Sequence, residues 1–397
     1  MVKHYVFFIR DVLPKPEAHL VQATNSANAA SNLGYSTVLF YLQKSRNALN
    51  PINWIYPIRL RSPSPKLAKF YNLQSNLKVV SLATPWPIDR LRGNKFANSS
   101  TIVSKYYFPL HIRPIAQIVH TRDWNFVKAA IQNGVPAIYE HHHHDCKKFE
   151  PEIVQHPLFQ VSVTVADTIR DSMIQNGMPP EKVIKLHNGF NQLFLTRHLD
   201  SAEQWRQKLL GDRQYLVVYS GALYRFKGIN LLLDVAKEMP HVQFALAGGP
   251  HTQVLTYQSL CHQKQINNLK LLGFVPQNEL SSLLQAADAL AHPHCSGEAA
   301  TFTSPLKLFD YMASGTPIVS TEIPPLQEFK SSEAIAGWCE PDSAKQFAQC
   351  LQAVLDTYPR KPGGYPQGSA FVQQFSWENR IKTILNYVED VHRPVLT

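Results

Sequence analysis

Phe302-Thr303-Ser304-Pro305-Leu306-Lys307-Leu308-Phe309-Asp310-Tyr311-Met312-Ala313-Ser314-Gly315-Thr316-Pro317-Ile318-Val319 reads as one helix feeding one strand. Thr303 and Ser304 suit a helix cap, and Pro305 suits the first turn. Leu306, Phe309, Met312 and Ala313 form an apolar stripe at helical spacing, Gly315 ends the helix, and Pro317–Ser320 starts a strand. Free amides at such a helix start attract a diphosphate. Asp310 lies along the helix, where its carboxylate is free to accept hydrogen bonds from ribose hydroxyls. The competing reading is a capped structural helix with a solvated Asp310.

Moving outward, β-rich runs alternate with helical patterns, as crossover-linked parallel sheets require. The expected strands of the first half are His4–Ile9, Ser36–Leu42, Lys78–Leu82, Ile115–Val119, Val135–Tyr139, Val161–Val165 and Lys182–Leu186. A helix over Glu17–Leu33 stops at Gly34. A second series runs through Gln214–Ser220, Val242–Ala247, Lys270–Leu272, Ala287–Ala291 and Pro317–Ser320. Two such series predict an α/β chain of two doubly wound, Rossmann-like domains facing each other across a cleft. The first spans 1–190 and is joined by a last helix over 376–397; the second spans 191–375. At the end of Gln214–Ser220 comes Ser220-Gly221-Ala222-Leu223-Tyr224-Arg225-Phe226-Lys227-Gly228, where a glycine allows close backbone approach and a lysine can neutralise a phosphate. An ordinary turn with a solvated lysine is the alternative.

The whole pattern resembles glycosyltransferase family 4, the group 1 retaining enzymes of the GT-B fold. Ser304–Ser320 resembles the family's nucleotide-sugar motif and Gly221–Gly228 its phosphate loop. His187-Asn188-Gly189-Phe190-Asn191 resembles its interdomain segment and Ala247-Gly248-Gly249-Pro250 its G-x-G-P stretch. Leu272–Val275 with Glu279-Leu280, and Ser376-Trp377-Glu378-Asn379-Arg380, complete six ordered matches from Val161 onward. The resemblance implies a retaining, metal-independent sugar transfer from a nucleotide-diphosphate sugar, with the donor on the second domain and the acceptor on the first. It needs no cofactor beyond the co-substrate. Lys227 would neutralise the diphosphate and Asp310 would hold the ribose in place of the family's second glutamate. Gly221, Arg225, Thr303, Ser304, Pro305, Leu306 and Lys307 would line the donor. Phe302 stands where the first glutamate is expected, and Glu298 is its candidate replacement. Ala222 replaces an arginine, and Pro14-Lys15-Pro16 a glycine pair.

Tyr139-Glu140-His141-His142-His143-His144-Asp145-Cys146 follows a first-half strand. The resemblance places His142 against the transferred sugar, with Glu140, His141 and His143 beside it. His19, Arg122 and Trp124 are further acceptor-side candidates. A metal reading of the run stays open, although consecutive residues on extended chain alternate faces. So a metal-dependent hydrolase built on His141–His144, or a non-catalytic GT-B binding protein, remains an alternative. An epimerase or phosphorylase on the same fold is another.

Composition narrows the rest. The chain has 397 residues, 44% hydrophobic and 17% charged, with no apolar run long enough to cross a membrane. Its start, MVKHYVFFIRD, lacks the cleavage pattern of a secretory leader, and five scattered cysteines read as reduced thiols. A cytoplasmic location is therefore expected. Residues 41–115 hold twelve basic residues against Asp89 alone, out of a net charge of +10 for the chain. Trp54, Tyr56, Phe70, Tyr71, Trp86 and Phe96 lie among them. This predicts an anionic membrane surface at the inner leaflet, or an anionic acceptor, as a partner; a merely solubilising face is the alternative. The acceptor class stays open among a sugar, a glycolipid, a polysaccharide and a small molecule. No nucleic-acid motif is present.

Overall fold

A computed structural model describes residues 3–44, 52–84, 98–143, 147–301 and 306–396. The chain divides into two compact units, Met1–His187 with Trp377–Thr397, and Asn188–Ser376.

The first unit is built on a seven-stranded parallel sheet. Its strands are β1 His4–Ile9, β2 Thr37–Lys44, β3 Lys78–Thr84, β4 Ala116–Thr121, β5 Ala137–Glu140, β6 Phe159–Thr164 and β7 Val183–Lys185, in the order β3-β2-β1-β4-β5-β6-β7. Both faces of the sheet are covered, so strands read as near-continuous apolar runs; all of β1 beyond His4 is buried. Val6 of β1 sits level with Val38 of β2 and Val119 of β4. The helix Ala18–Asn32 is buried over most of its circumference, Gln22, Thr24, Asn25 and Ser26 included. The returning helix Trp377–Asn386 packs on it, and Asn32 Nδ2 donates to Glu378 Oε1 at 3.1 Å. Tertiary packing, not amphipathicity, holds this helix.

The second unit has a six-stranded parallel sheet of β8 Tyr215–Ser220, β9 Val242–Ala247, β10 Leu269–Gly273, β11 Ala289–His292, β12 Ile318–Thr321 and β13 Gly337–Cys339, in the order β10-β9-β8-β11-β12-β13. The strand period of two splits β8 between two cores. Val217 and Tyr219 join the cluster under the helices Ile229–Glu238 and Ala344–Thr357. Leu216 and Val218 join the opposite cluster, under Gln277–Ala286 and Leu306–Ser314.

In both sheets the strand order reverses once, between β1 and β4 and between β8 and β11. The crevice at such a reversal, beyond the carboxyl ends of the strands, is where this architecture receives ligands.

The expected strands lie within a few residues of the observed ones; β13 was missed because Gly-Trp-Cys is too short to show a period. A further helix over Ser99–Ile112, wide-turned from Val103 and containing Pro109, lies in the basic segment and was also unforeseen. Much of that segment lies outside the described residues, including Arg46, Trp86, Asp89, Arg90, Arg92, Lys95 and Phe96. Among the described residues no helix is long and apolar enough to cross a membrane.

Candidate functional site

In the second unit the candidate residues gather at the reversal between β8 and β11. β8 ends at Ser220-Gly221. A side chain at Gly221 would collide with the Lys307 ammonium and the Tyr219 hydroxyl, so the ammonium lies directly over the backbone. At Gly228 (φ +76°) a Cβ would strike the Pro293 carbonyl, which pins the phosphate-loop candidate against the chain leaving β11. The buried Tyr311 hydroxyl accepts from Ser220 N at 2.6 Å, tying the helix Leu306–Ser314 to the end of β8.

Two lysines meet here with one carboxyl. Lys227, half-buried, is lowered to about 7, first by burial and then by the charge of Lys307. Lys307 is lowered to about 8 by burial, with Asp310 opposing. Asp310 is raised to about 8 by burial, against the pull of Lys307 and a hydrogen bond from the Asn191 backbone. Two further imidazoles, absent from the sequence expectations, line the same place. His292 and His294 are buried and stacked, ring centres 4.3 Å apart. Burial and then Lys227 push His292 down to about 3, and burial and then His292 push His294 well down. Their signal was the His292-Pro293-His294 loop leaving a strand at the reversal. The cluster gathers basic groups in a buried place where unpaired charge is costly. Leu306 and Lys307 stand in the first turn of their helix; Phe302, Thr303, Ser304 and Pro305 lie outside the described residues. Arg225 is exposed on the 225–227 turn, and Glu298 is exposed at the start of Glu298–Thr301.

In the first unit the corresponding place is built from the ends of β4 and β5. Glu140, 2% exposed, accepts from Arg380 through both oxygens (2.7 and 3.0 Å), from His120 Nε2 at 2.8 Å and from Gln22 Nε2 at 2.9 Å. Burial alone would raise its carboxyl, but Arg380 and the imidazole donors hold it well below the usual range. The Tyr5 hydroxyl and His120 Nδ1 are 2.9 Å apart. An ionised carboxylate only accepts, so His120 carries its proton on Nε2. His142 Nε2 lies 2.8 Å from Glu140 Oε2, while Arg122 donates to His142 Nδ1 and to His143 Nε2, each at 3.2 Å. A guanidinium has no acceptor, so both facing nitrogens are unprotonated. Burial first, then Arg122, takes His142 down to about 3.

The remaining candidates are placed differently. His141 turns to the other side of the chain, its Nδ1 3.0 Å from the Tyr139 hydroxyl. Trp124 is buried against Tyr139, Phe149 and Phe159 and donates to Glu150 Oε2 at 2.7 Å. His19 is exposed; its ligand atom and those of Asp11 and Glu17 lie within 4.8 Å of one another, and Lys15 bridges Asp11 at 2.8 Å. Among the described residues this trio is the one group with metal-ligand spacing. His141 and His142 point apart, and His144, Asp145 and Cys146 lie outside the described residues.

Comparison with known proteins bears on this arrangement. Residues 200–361 match the family model for "Glycosyl transferases group 1". A D-inositol 3-phosphate glycosyltransferase of Corynebacterium aurimucosum is 24% identical over 240 residues, 57% of this chain and 56% of that relative. The chain thus spans little more than half the length of that curated relative. Among solved structures, Anabaena HepE in complex with UDP-glucose aligns with 97% of this chain and 99% of its own at a TM-score of 0.65 and 16% identity. WaaG, a glycosyltransferase involved in lipopolysaccharide biosynthesis, aligns with 97% and 100% at a TM-score of 0.61 and 15% identity. These likenesses establish the two-sheet GT-B fold. The sequence match lies within the second unit: residues 200–361 are similar to the group 1 glycosyl transferases.

Proposed function

We propose that the chain moves a sugar from a nucleotide-diphosphate sugar to an acceptor, with retention at the anomeric carbon and without a divalent metal. The observation that carries this is the pairing of Lys227 with Lys307 at the β8/β11 reversal, both driven toward neutrality by burial. An anion placed there restores both charges, and a diphosphate matches that demand at the backbone of Gly221. The family match over 200–361 and the UDP-glucose bound by HepE support the same reading.

In this reading Lys227, Lys307 and Arg225 neutralise the leaving diphosphate, and Thr303, Ser304, Pro305 and Leu306 line it. Asp310 holds the ribose, and Glu298 supplies a further donor contact. His142, held at Nδ1 by Arg122 and facing Glu140 through Nε2, meets the transferred sugar by giving up one of these two contacts. The leaving diphosphate assists the acceptor on the face it vacates, so the protein's contribution is electrostatic stabilisation and orientation. Two lysines replace the charge a metal would supply, and the nucleotide sugar is the co-substrate. The acceptor class is a sugar, glycolipid or small molecule. Exposed Tyr56, Tyr106 and Leu110 among basic residues of 41–115 favour work at an anionic membrane surface, on the cytoplasmic leaflet.

The test is thermal unfolding of the full chain against UDP, UDP-glucose and GDP-mannose, with and without EDTA. A ligand at a hundred times its dissociation constant adds about 2.7 kcal/mol. Stabilisation by one donor, lost in Lys227→Ala and Asp310→Ala and indifferent to EDTA, is the expected result. No shift with any donor, together with a melting temperature lowered by EDTA, would overturn the proposal.

A further inference from the structure

Among the described residues Arg122 has no carboxylate of its own; Glu140, whose charge favours the Arg122 cation, is shared with Arg380. Arg122 is half-buried at the carboxyl end of β4, beside the reversal between β1 and β4. Both of its hydrogen bonds go to imidazole nitrogens that must be unprotonated to accept them. Glu140, the nearest buried carboxylate, is already matched by the bidentate Arg380. Among the described residues the buried cluster thus sets two guanidinium groups, Arg380 and Arg122, against one carboxylate, Glu140. Among the described residues no carboxylate comes within ion-pair distance of Arg122. Asp11, on the preceding loop, is taken up by Lys15 at 2.8 Å.

Imidazole nitrogens are weak stand-ins for an anion. They hold the guanidinium in place while leaving its charge uncompensated, and they can turn or take a proton when a stronger acceptor arrives. The planar fork suits a phosphate or carboxylate bound through two parallel hydrogen bonds.

We infer that Arg122, with His142 and His143 beside it, forms a subsite for an anionic group on the acceptor: a phosphate monoester or a carboxylate. This rests on the transferase reading only in calling the ligand an acceptor. A neutral sugar would leave the surplus charge unmet; an anionic one would close the account of the first unit. The same geometry makes Arg122 a determinant of acceptor choice.

The test is isothermal titration of the full chain with inorganic phosphate, glucose 6-phosphate, glucuronate and glucose, with UDP titrated in parallel. Glucose 6-phosphate or glucuronate should bind at least tenfold more tightly than glucose. Arg122→Gln should lose roughly ten- to a hundredfold of that affinity while keeping UDP affinity, as expected for charge-assisted hydrogen bonds. Arg122→Lys, which keeps the charge but not the fork, should fall between them. It also serves as a check on folding, read by its melting temperature. Lys227→Ala should do the reverse, losing UDP and keeping the anion. Equal binding of glucose and glucose 6-phosphate, no anion binding at all, or anion binding lost in Lys227→Ala but unchanged in Arg122→Gln, would overturn the inference; the last would place the anion in the second unit. Failure of the transferase reading looks different: UDP and nucleotide sugars would not bind the unsubstituted protein, whatever the anions do.

Discussion

The two units use one strand plan and handle charge in opposite ways. In the first, Glu140 is fully committed: Arg380, His120 and Gln22 satisfy both oxygens, and the surplus on Arg122 rests on two imidazoles. In the second, Asp310 opposes the shift of Lys307, Lys227 faces the like charge of Lys307, and all three are pushed toward neutrality by burial. A saturated charge such as Glu140 holds its neighbours in place; under-compensated ones such as Lys227, Lys307 and Arg122 gain by taking a ligand. The difference teaches that burial alone does not mark a binding residue. What marks it is burial without compensation.

The comparison breaks most visibly at Arg380. Replacing it by Leu leaves Glu140 buried without its main counterion and should cost about 3–5 kcal/mol. The double substitution Glu140→Gln with Arg380→Leu should recover part of that loss, because no carboxylate is then buried without its main counterion. Urea unfolding of the three variants reads this directly. A single-variant cost under about 1 kcal/mol would show that the first unit is not held by its charge network.

A second test uses acid. His292 and His294 bind no proton in the folded chain near neutrality but do so when unfolded, so the unfolded state gains protons as pH falls below about 6.5. Stability contributed by their neutral forms is full above that value and is lost on descent toward the depressed folded values, about 3 for His292. The slope should approach about 1.4 kcal/mol per histidine for each pH step. His292→Asn should flatten the Tm–pH curve between 6.5 and 4; an unchanged curve would contradict the buried, neutral pair.

The smallest effect sharpens the second unit. Below about 7 Lys227 is already charged, so its protonation leaves UDP affinity unaffected by pH. Above 7, binding must return the proton that burial removed, and affinity should fall by up to tenfold per pH step. Titrations between pH 7 and 8.5 should show the fall in the unsubstituted protein and a shallower one in Lys227→Met.

Much of this was legible in advance because it is local. Strand periodicity, the stop at Gly34, and the Gly221–Gly228 and Leu306–Gly315 patterns depend on neighbours a few residues apart, so the two α/β series and the positions of Lys227, Lys307 and Asp310 could be read directly. Alternation of faces along extended chain spoke against a metal site of consecutive histidines; the choice of His142 over His141 and His143 came from the resemblance, and the structure sets His142 beside Glu140 with His141 turned away. Other features were decided by contacts across long stretches of chain. Arg380 reaches Glu140 over 240 positions, and Gln22 reaches it over 118. Trp124, read as a surface for the acceptor, is packed among Tyr139, Phe149 and Phe159 instead. His292 and His294, unremarked in the sequence, become buried neighbours of two lysines only when β11 is set beside β8.

The sequence by itself determined the repeating units, because hydrophobic period and turn chemistry act over short separations. The tertiary structure alone decided which charges are compensated, because that depends on which distant side chains exclude water together.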